Sequence, residues 1–237
     1  MTFQIAFTAP NGILIGSDRK KTSIYGFHHS QIVNKIEVNE KATFAYCSAG
    51  DSGFGDLFAS IVEEEFSKGT VDFTGIDLIK TQRTLLQCLK TARDRESGFI
   101  HTRGLGASFG GNTMLVFRQN NRVALWTVDT FSQIPTASLV IEGDNIKAGD
   151  ANSPSVFFPH WYFDKVPNTV EALIPIAVHT VLMAEADYIE GIQIGVFTPT
   201  VFRVLTDEEL KPYIKLSKEI DVGIIDLFRK GERLWSN

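Results

Sequence analysis

The order in which hydrophobic periodicities change along the chain restricts its fold more than any single motif. The first fifty residues alternate in short apolar runs at 3–8, 13–17, 32–38 and 42–49, punctuated by the turns Pro10-Asn11-Gly12 and Asn39-Glu40-Lys41. After Gly50-Asp51-Ser52-Gly53 the period lengthens, and Leu57, Phe58, Ile61, Val62 and Phe66 recur on one helical face. A second amphipathic stretch covers about 74–95, with Ile76, Ile79, Leu85, Leu86 and Leu89 on its apolar side. Strand patterning returns at 114–117, 123–128, 138–141 and 146–148, followed by an apolar helical run at 170–184 in which Pro175 predicts a kink or a later start. A hairpin at 192–197 and 201–205 precedes a helix that starts near Asp207. This order of sheet, helix pair, sheet, helix, sheet and helix, with no internal repeat or linker, predicts one α+β domain over residues 1–237 in which two sheets pack face to face between helical layers.

The bulk properties exclude several function classes. Hydrophobic residues form 43% of the chain, enough for a substantial core, and a net charge of -5 argues against a surface that neutralises phosphates, so no nucleic-acid partner is expected. No apolar run of about 20 residues is present to span a membrane. The N-terminus lacks the basic and apolar regions of a secretory signal, so a cytoplasmic location is the default expectation. Cys47 and Cys88 form neither a disulfide framework nor a metal-ligand pattern and are expected to be free core thiols. His28-His29 lacks the spacing and companions of a metal site, and no metal is expected.

Candidate chemistry begins at Thr2. A small residue after the initiator methionine permits removal of Met1, which would leave a threonine whose own α-amine, titrating near about 7.7–8.0, can take its hydroxyl proton. Residues 12–18 form an apolar strand that ends in small residues and then the carboxylate of Asp18. In Lys35-Ile36-Glu37-Val38, alternation places Ile36 and Val38 on one face and turns Lys35 away from it. A lysine beside the terminal amine would lower that amine's pKa, and Asp18 would orient the lysine, although an ordinary surface ion pair explains the same residues. Ser48-Ala49-Gly50-Asp51 closes a strand and opens a helix, where backbone N–H groups can stabilise an oxyanion or where glycine merely serves a tight turn.

In order and spacing these features resemble the proteasome β-subunit family of N-terminal-nucleophile hydrolases, and more closely its bacterial relatives, the HslV protease and the ancestral β-subunit proteins called Anbu. The family's N-terminal threonine falls on Thr2 and its strand ending in aspartate on 12–18, with no gap between them. Its lysine falls on Lys35 after one inserted residue, and its Ala-Gly oxyanion turn on Ala49-Gly50. The run Asp187-Tyr188-Ile189-Glu190-Gly191 resembles the family's Asp-x-x-Ser-Gly segment, with Glu190 in place of serine, and Ala148-Gly149-Asp150-Ala151 resembles its Gly-Ser-Gly turn, with Asp150 in place of serine. Lys20 replaces the arginine usual two positions after the aspartate. Two carboxylates near the threonine amine would raise its pKa by favouring the charged form.

The resemblance implies a four-layer αββα sandwich and a threonine peptidase with Thr2, Asp18, Lys35, Gly50, Asp150, Asp187 and Glu190 at its site, needing neither metal nor cofactor. It also implies a homo-oligomeric ring or helical assembly, unfolded polypeptide as substrate and an ATP-dependent unfoldase as a possible partner. The alternatives are a non-catalytic scaffold subunit and an amidase acting on a small molecule. A chain with nothing before the threonine except Met1 favours the enzyme over the scaffold.

Overall fold

The structure, a computed structural model, describes residues 2–22, 30–75, 77–103, 111–129, 134–149, 159–184 and 190–235. The opening hairpin is β1 (Phe3–Ala9) and β2 (Gly12–Ser17), paired antiparallel from Gln4↔Ser17 to Ala9↔Gly12. They lie inside a five-stranded antiparallel sheet ordered β10-β1-β2-β11-β12, where β10 is Asn145–Gly149, β11 Gln193–Phe197 and β12 Phe202–Val204. The second five-stranded sheet is ordered β5-β6-β7-β8-β9, from β5 (Ile36–Val38) and β6 (Phe44–Gly50) through β7 (Gly111–Gln119) and β8 (Arg122–Asp129) to β9 (Thr136–Leu139). A short ladder, β3 (Lys20–Thr22) with β4 (Ser30–Ile32), joins them.

The period-2 rule sorts the side chains into three apolar clusters. Phe3, Ile5 and Phe7 of β1, Leu14 of β2 and Ile194 and Val196 of β11 pack on α3 (Val170–Met183) and on Leu210 of α4 (Asp207–Trp235). The intervening residues Ala6, Ile13, Ile15 and Phe197 meet Ile36, Ala45, Cys47, Met114, Val116 and Leu125 of the second sheet. The opposite face of that sheet, including Phe44, Leu115, Phe117 and Trp126, packs on α1 (Ser52–Ser67) and α2 (Leu78–Arg103). Because β1 and β2 are covered on both faces, every residue of both is buried. Cys47 and Cys88 are free and buried.

The helices begin where side chains can satisfy their first amides. Asp51 caps α1 by accepting from Phe54 N at 3.1 Å, and Asp77 accepts from Lys80 N at 3.0 Å, so α2 starts four residues later than the apolar periodicity predicts. Helix α3 starts at Val170 and carries Pro175 inside it rather than starting after it, with Thr169 Oγ1 accepting from Ala172 N at 3.3 Å. Its burial on nearly every side compensates for the missing amide. The predicted strand 32–38 is in fact two, because residues 33–35 belong to neither ladder and carry the chain from β4 to β5; Val33 N donates to Arg19 O at 2.8 Å. No helix among the described residues is long and apolar enough to cross a membrane. His28 and His29 lie outside the described residues.

Helices α3 and α4 are joined by a buried polar pair in which His179 Nδ1 lies 2.7 Å from Ser217 Oγ, with Asp221 Oδ1 3.9 Å from Nε2. Burial lowers the His179 pKa from its ordinary 6.5, against the opposing pull of Asp221. The unfolded chain therefore takes up this proton at a higher pH than the folded one, and His179 makes stability fall as pH drops from 6.5 towards the lowered value. Urea midpoints measured at about pH 7.5 and about pH 5 are expected to fall further apart in the wild type than in His179→Gln, which keeps a hydrogen-bonding group but does not titrate.

Candidate active site

Asp18 sits one residue beyond β2, fully buried, and its carboxylate gathers several donors. Phe3 N donates to Oδ1 at 2.9 Å and Lys20 N to Oδ2 at 3.1 Å. Lys35 Nζ lies 2.9 and 2.8 Å from the two oxygens and 3.0 Å from Thr2 Oγ1. An ammonium has three N–H donors, and these three acceptors use all of them. The side chains of Lys35 and Asp18 are 9% and 0% exposed, so this is not a surface ion pair but a desolvated one that fixes direction. Burial lowers the Lys35 pKa, while the charge and hydrogen bond of Asp18 act against it. The local fold makes this meeting unavoidable: the antiparallel register of β1 and β2 brings Asp18 back beside Phe3, and hence beside Thr2.

Below Lys35 the space between the sheets is polar. Gln4 Nε2 donates to Cys47 Sγ at 2.8 Å, and both residues are fully buried. Burial pushes the Cys47 thiol up to about 12, so it is a protonated filler rather than a nucleophile. Gln193, at the start of β11, accepts from Lys35 N at 2.8 Å and Ile36 N at 2.9 Å and donates to Ile36 O at 3.2 Å. Sequence reasoning missed Gln4, Cys47 and Gln193 as neighbours of the site. The available signal was a lone amide inside an otherwise apolar strand, as in Ile192-Gln193-Ile194 and Phe3-Gln4-Ile5.

Gly50 ends β6 with φ 112° and is exposed, opposite Gly111, where a Cβ would meet Ala49 O at 2.3 Å; this close approach explains glycine at 111. Asp51 turns directly from that strand end into α1. Glu190 has its carboxylate 3.4 Å from Lys20 Nζ, and its carbonyl accepts from Arg19 N at 2.9 Å. Asp150 and Asp187 lie outside the described residues.

Two antiparallel five-stranded sheets with helices packed on them thus bring Thr2, Lys35 and Asp18 together beside the first hairpin. No known family's sequence pattern matches the chain, and no curated protein matches it in sequence. Solved structures match it in fold. An Anbu Gly-1 mutant from Hyphomicrobium sp. strain MC1 superposes with a TM-score of 0.69 at 15% identity, covering 97% of each chain. Anbu, the ancestral β-subunit, from Yersinia bercovieri gives 0.69 at 11% identity over 96% of each chain. The helical assembly of the Anbu complex from Pseudomonas aeruginosa gives 0.69 at 10% identity, again over 96% of each. The chain has the Anbu-like, proteasome-related fold along nearly its whole length.

Proposed function

We propose that this protein is an N-terminal-nucleophile hydrolase of the threonine type, and specifically a peptidase, with Thr2 exposed by removal of Met1. The observation that carries the reading is the placement of Lys35 Nζ 3.0 Å from Thr2 Oγ1 while Asp18 holds it from the other side. The Thr2 hydroxyl attacks the carbonyl carbon of a peptide bond and its proton passes to the Thr2 α-amine, which the Lys35 cation keeps neutral by like-charge repulsion. The oxyanion accepts from Gly50 N–H, the protonated amine gives its proton to the leaving nitrogen, and a threonyl ester remains. Water, deprotonated by the same amine, then attacks the ester; as the acyl–Oγ1 bond breaks, the amine returns that proton to Thr2 Oγ1 and the acid leaves. Asp150, Asp187 and Glu190 are assigned to the surroundings of the amine. The 3.4 Å pairing of Glu190 with Lys20 favours a role in which its charge is shared with that lysine rather than given wholly to the amine.

In this reading residues 1–237 form one domain, a four-layer αββα sandwich, supported by the three apolar clusters on and between the two sheets. The protein works in the cytoplasm as a homo-oligomeric ring or helical assembly, the latter by likeness to the Pseudomonas aeruginosa complex. The assembly restricts entry to unfolded polypeptide, delivered with or without an ATP-dependent unfoldase.

The test is the intact mass before and after incubation with a β-lactone or epoxyketone, in the wild type and Thr2→Ala. Loss of Met1 and one adduct that disappears in Thr2→Ala are expected. A retained Met1, or no adduct on a processed terminus, leaves a scaffold subunit. An adduct on a monomer that turns over small amides but no peptide leaves an amidase.

A further inference from the structure

We propose that Gln193 is a positioning residue for the Lys35 ammonium, a role that rests on the reading of Thr2 as nucleophile and extends it. Lys35 lies in the connection 33–35, outside both main ladders, so strand pairing does not hold its Cα. Its amide is held instead by one side chain, since Gln193 Oε1 accepts from Lys35 N at 2.8 Å and from Ile36 N at 2.9 Å, and Gln193 Nε2 donates to Ile36 O at 3.2 Å. Gln193 is 6% exposed and faces the second sheet from the first. Its own backbone pairs with Ser17, the residue before Asp18. The strand pair that fixes the aspartate therefore also fixes the lysine, and the Asp18–Lys35–Thr2 distances are set within one frame.

The chemistry of glutamine suits this task. Methionine of similar length would leave one buried and one partly buried N–H group and one C=O without their partner, and asparagine withdraws the amide by one methylene. A glutamate is no substitute either, because it would set a second acceptor oxygen and a buried charge against Ile36 O, where Gln193 Nε2 now donates at 3.2 Å. Lysine reaches Thr2 through a flexible four-carbon stem, so a main-chain shift at residue 35 is passed to Nζ, and a displacement of about 1 Å in such a site costs about a hundredfold in rate.

The experiment uses the full chain in three forms: wild type, Gln193→Met, and Gln193→Asn in case the methionine variant does not fold. Two readouts are taken on folded protein: the pH profile of Thr2 acylation by a β-lactone, resolved into binding and inactivation constants, and the rate at which trace acetic anhydride acetylates Lys35. Gln193→Met or Gln193→Asn is expected to lower the inactivation rate about ten- to a hundredfold at unchanged probe binding, to move the pH midpoint upward, and to speed Lys35 acetylation about tenfold. A folded variant with wild-type acylation, pH midpoint and Lys35 protection overturns the inference and leaves the proposed function standing. If the wild type takes no lactone, the proposed function fails instead, and the acetylation arm alone decides for or against Gln193 as the anchor of Lys35.

Discussion

Lys35→Met is expected to abolish most of the acylation of Thr2, lowering its rate by about two to four orders of magnitude, the range found for a group that governs proton transfer. The side chain makes three contacts at 2.8–3.0 Å, one to the hydroxyl that attacks and two to Asp18, and methionine replaces none of them. Stability should fall as well, by about 3–5 kcal/mol, because Asp18 remains a fully buried carboxylate without its counter-charge. The double variant Lys35→Met/Asp18→Asn separates the two effects. With neither charge left, it should regain part of the stability while acylation stays as low, because a buried pair replaced on both sides costs less than one that is broken, although Asp18→Asn gives up one of the two backbone acceptances from Phe3 N and Lys20 N. Lys35→Arg is not expected to rescue, since a planar guanidinium differs in size and donor geometry from the compact ammonium that meets all three acceptors. Folded Lys35→Met protein acylated within fivefold of wild type would refute the assignment of Lys35.

Phe117→Ala is expected to cause a large loss of stability that leaves the site chemistry intact. Phe117 is fully buried on the helix-facing side of β7, with ring centroids 4.5 Å from Phe73, 5.2 Å from Phe66 and 5.3 Å from Phe44. Truncation leaves a cavity among rings that cannot all move inward, at a cost of about 3–5 kcal/mol. For a chain of this size that lowers the melting temperature by roughly 6–20 °C. Ile141→Ala, at a residue 63% exposed, should stay within about 0.5 kcal/mol of wild type. Thr2 lies at the first hairpin, remote in the layering from this aromatic cluster, so Phe117→Ala protein kept cold should acylate at close to the wild-type rate. Calorimetry and the lactone assay on the same samples test both statements.

The two sheets and the helices between and after their strands were legible because each rests on local physics. Residues 13–17 and 44–49 alternate or run apolar as strands do, residues 52–67 carry a helical face behind Asp51, and the sheet–helix–sheet order admits few packings. The joining ladder β3–β4 was not legible, since Lys20-Lys21-Thr22 and Ser30-Gln31-Ile32 carry no apolar alternation in sequence and pair only because the chain returns there. For the same reason the stretch 32–38 read as one strand although it serves two ladders.

The site divides in the same way. Sequence by itself determined which groups are present near the N-terminus: Thr2 behind Met1, an aspartate closing the second strand, a lysine after a connection of fixed length and a glycine at a strand-to-helix turn. These are short-range facts of residue type and spacing. Only the tertiary structure decided that the Lys35–Asp18 pair is buried, that Lys35 Nζ points at Thr2 Oγ1, that Glu190 pairs with Lys20, and that Gln193, 158 residues away from Lys35, holds its amide. Those outcomes depend on which strands become neighbours and how far the two sheets exclude water, and both are set by contacts between residues distant in sequence, which periodicity does not carry.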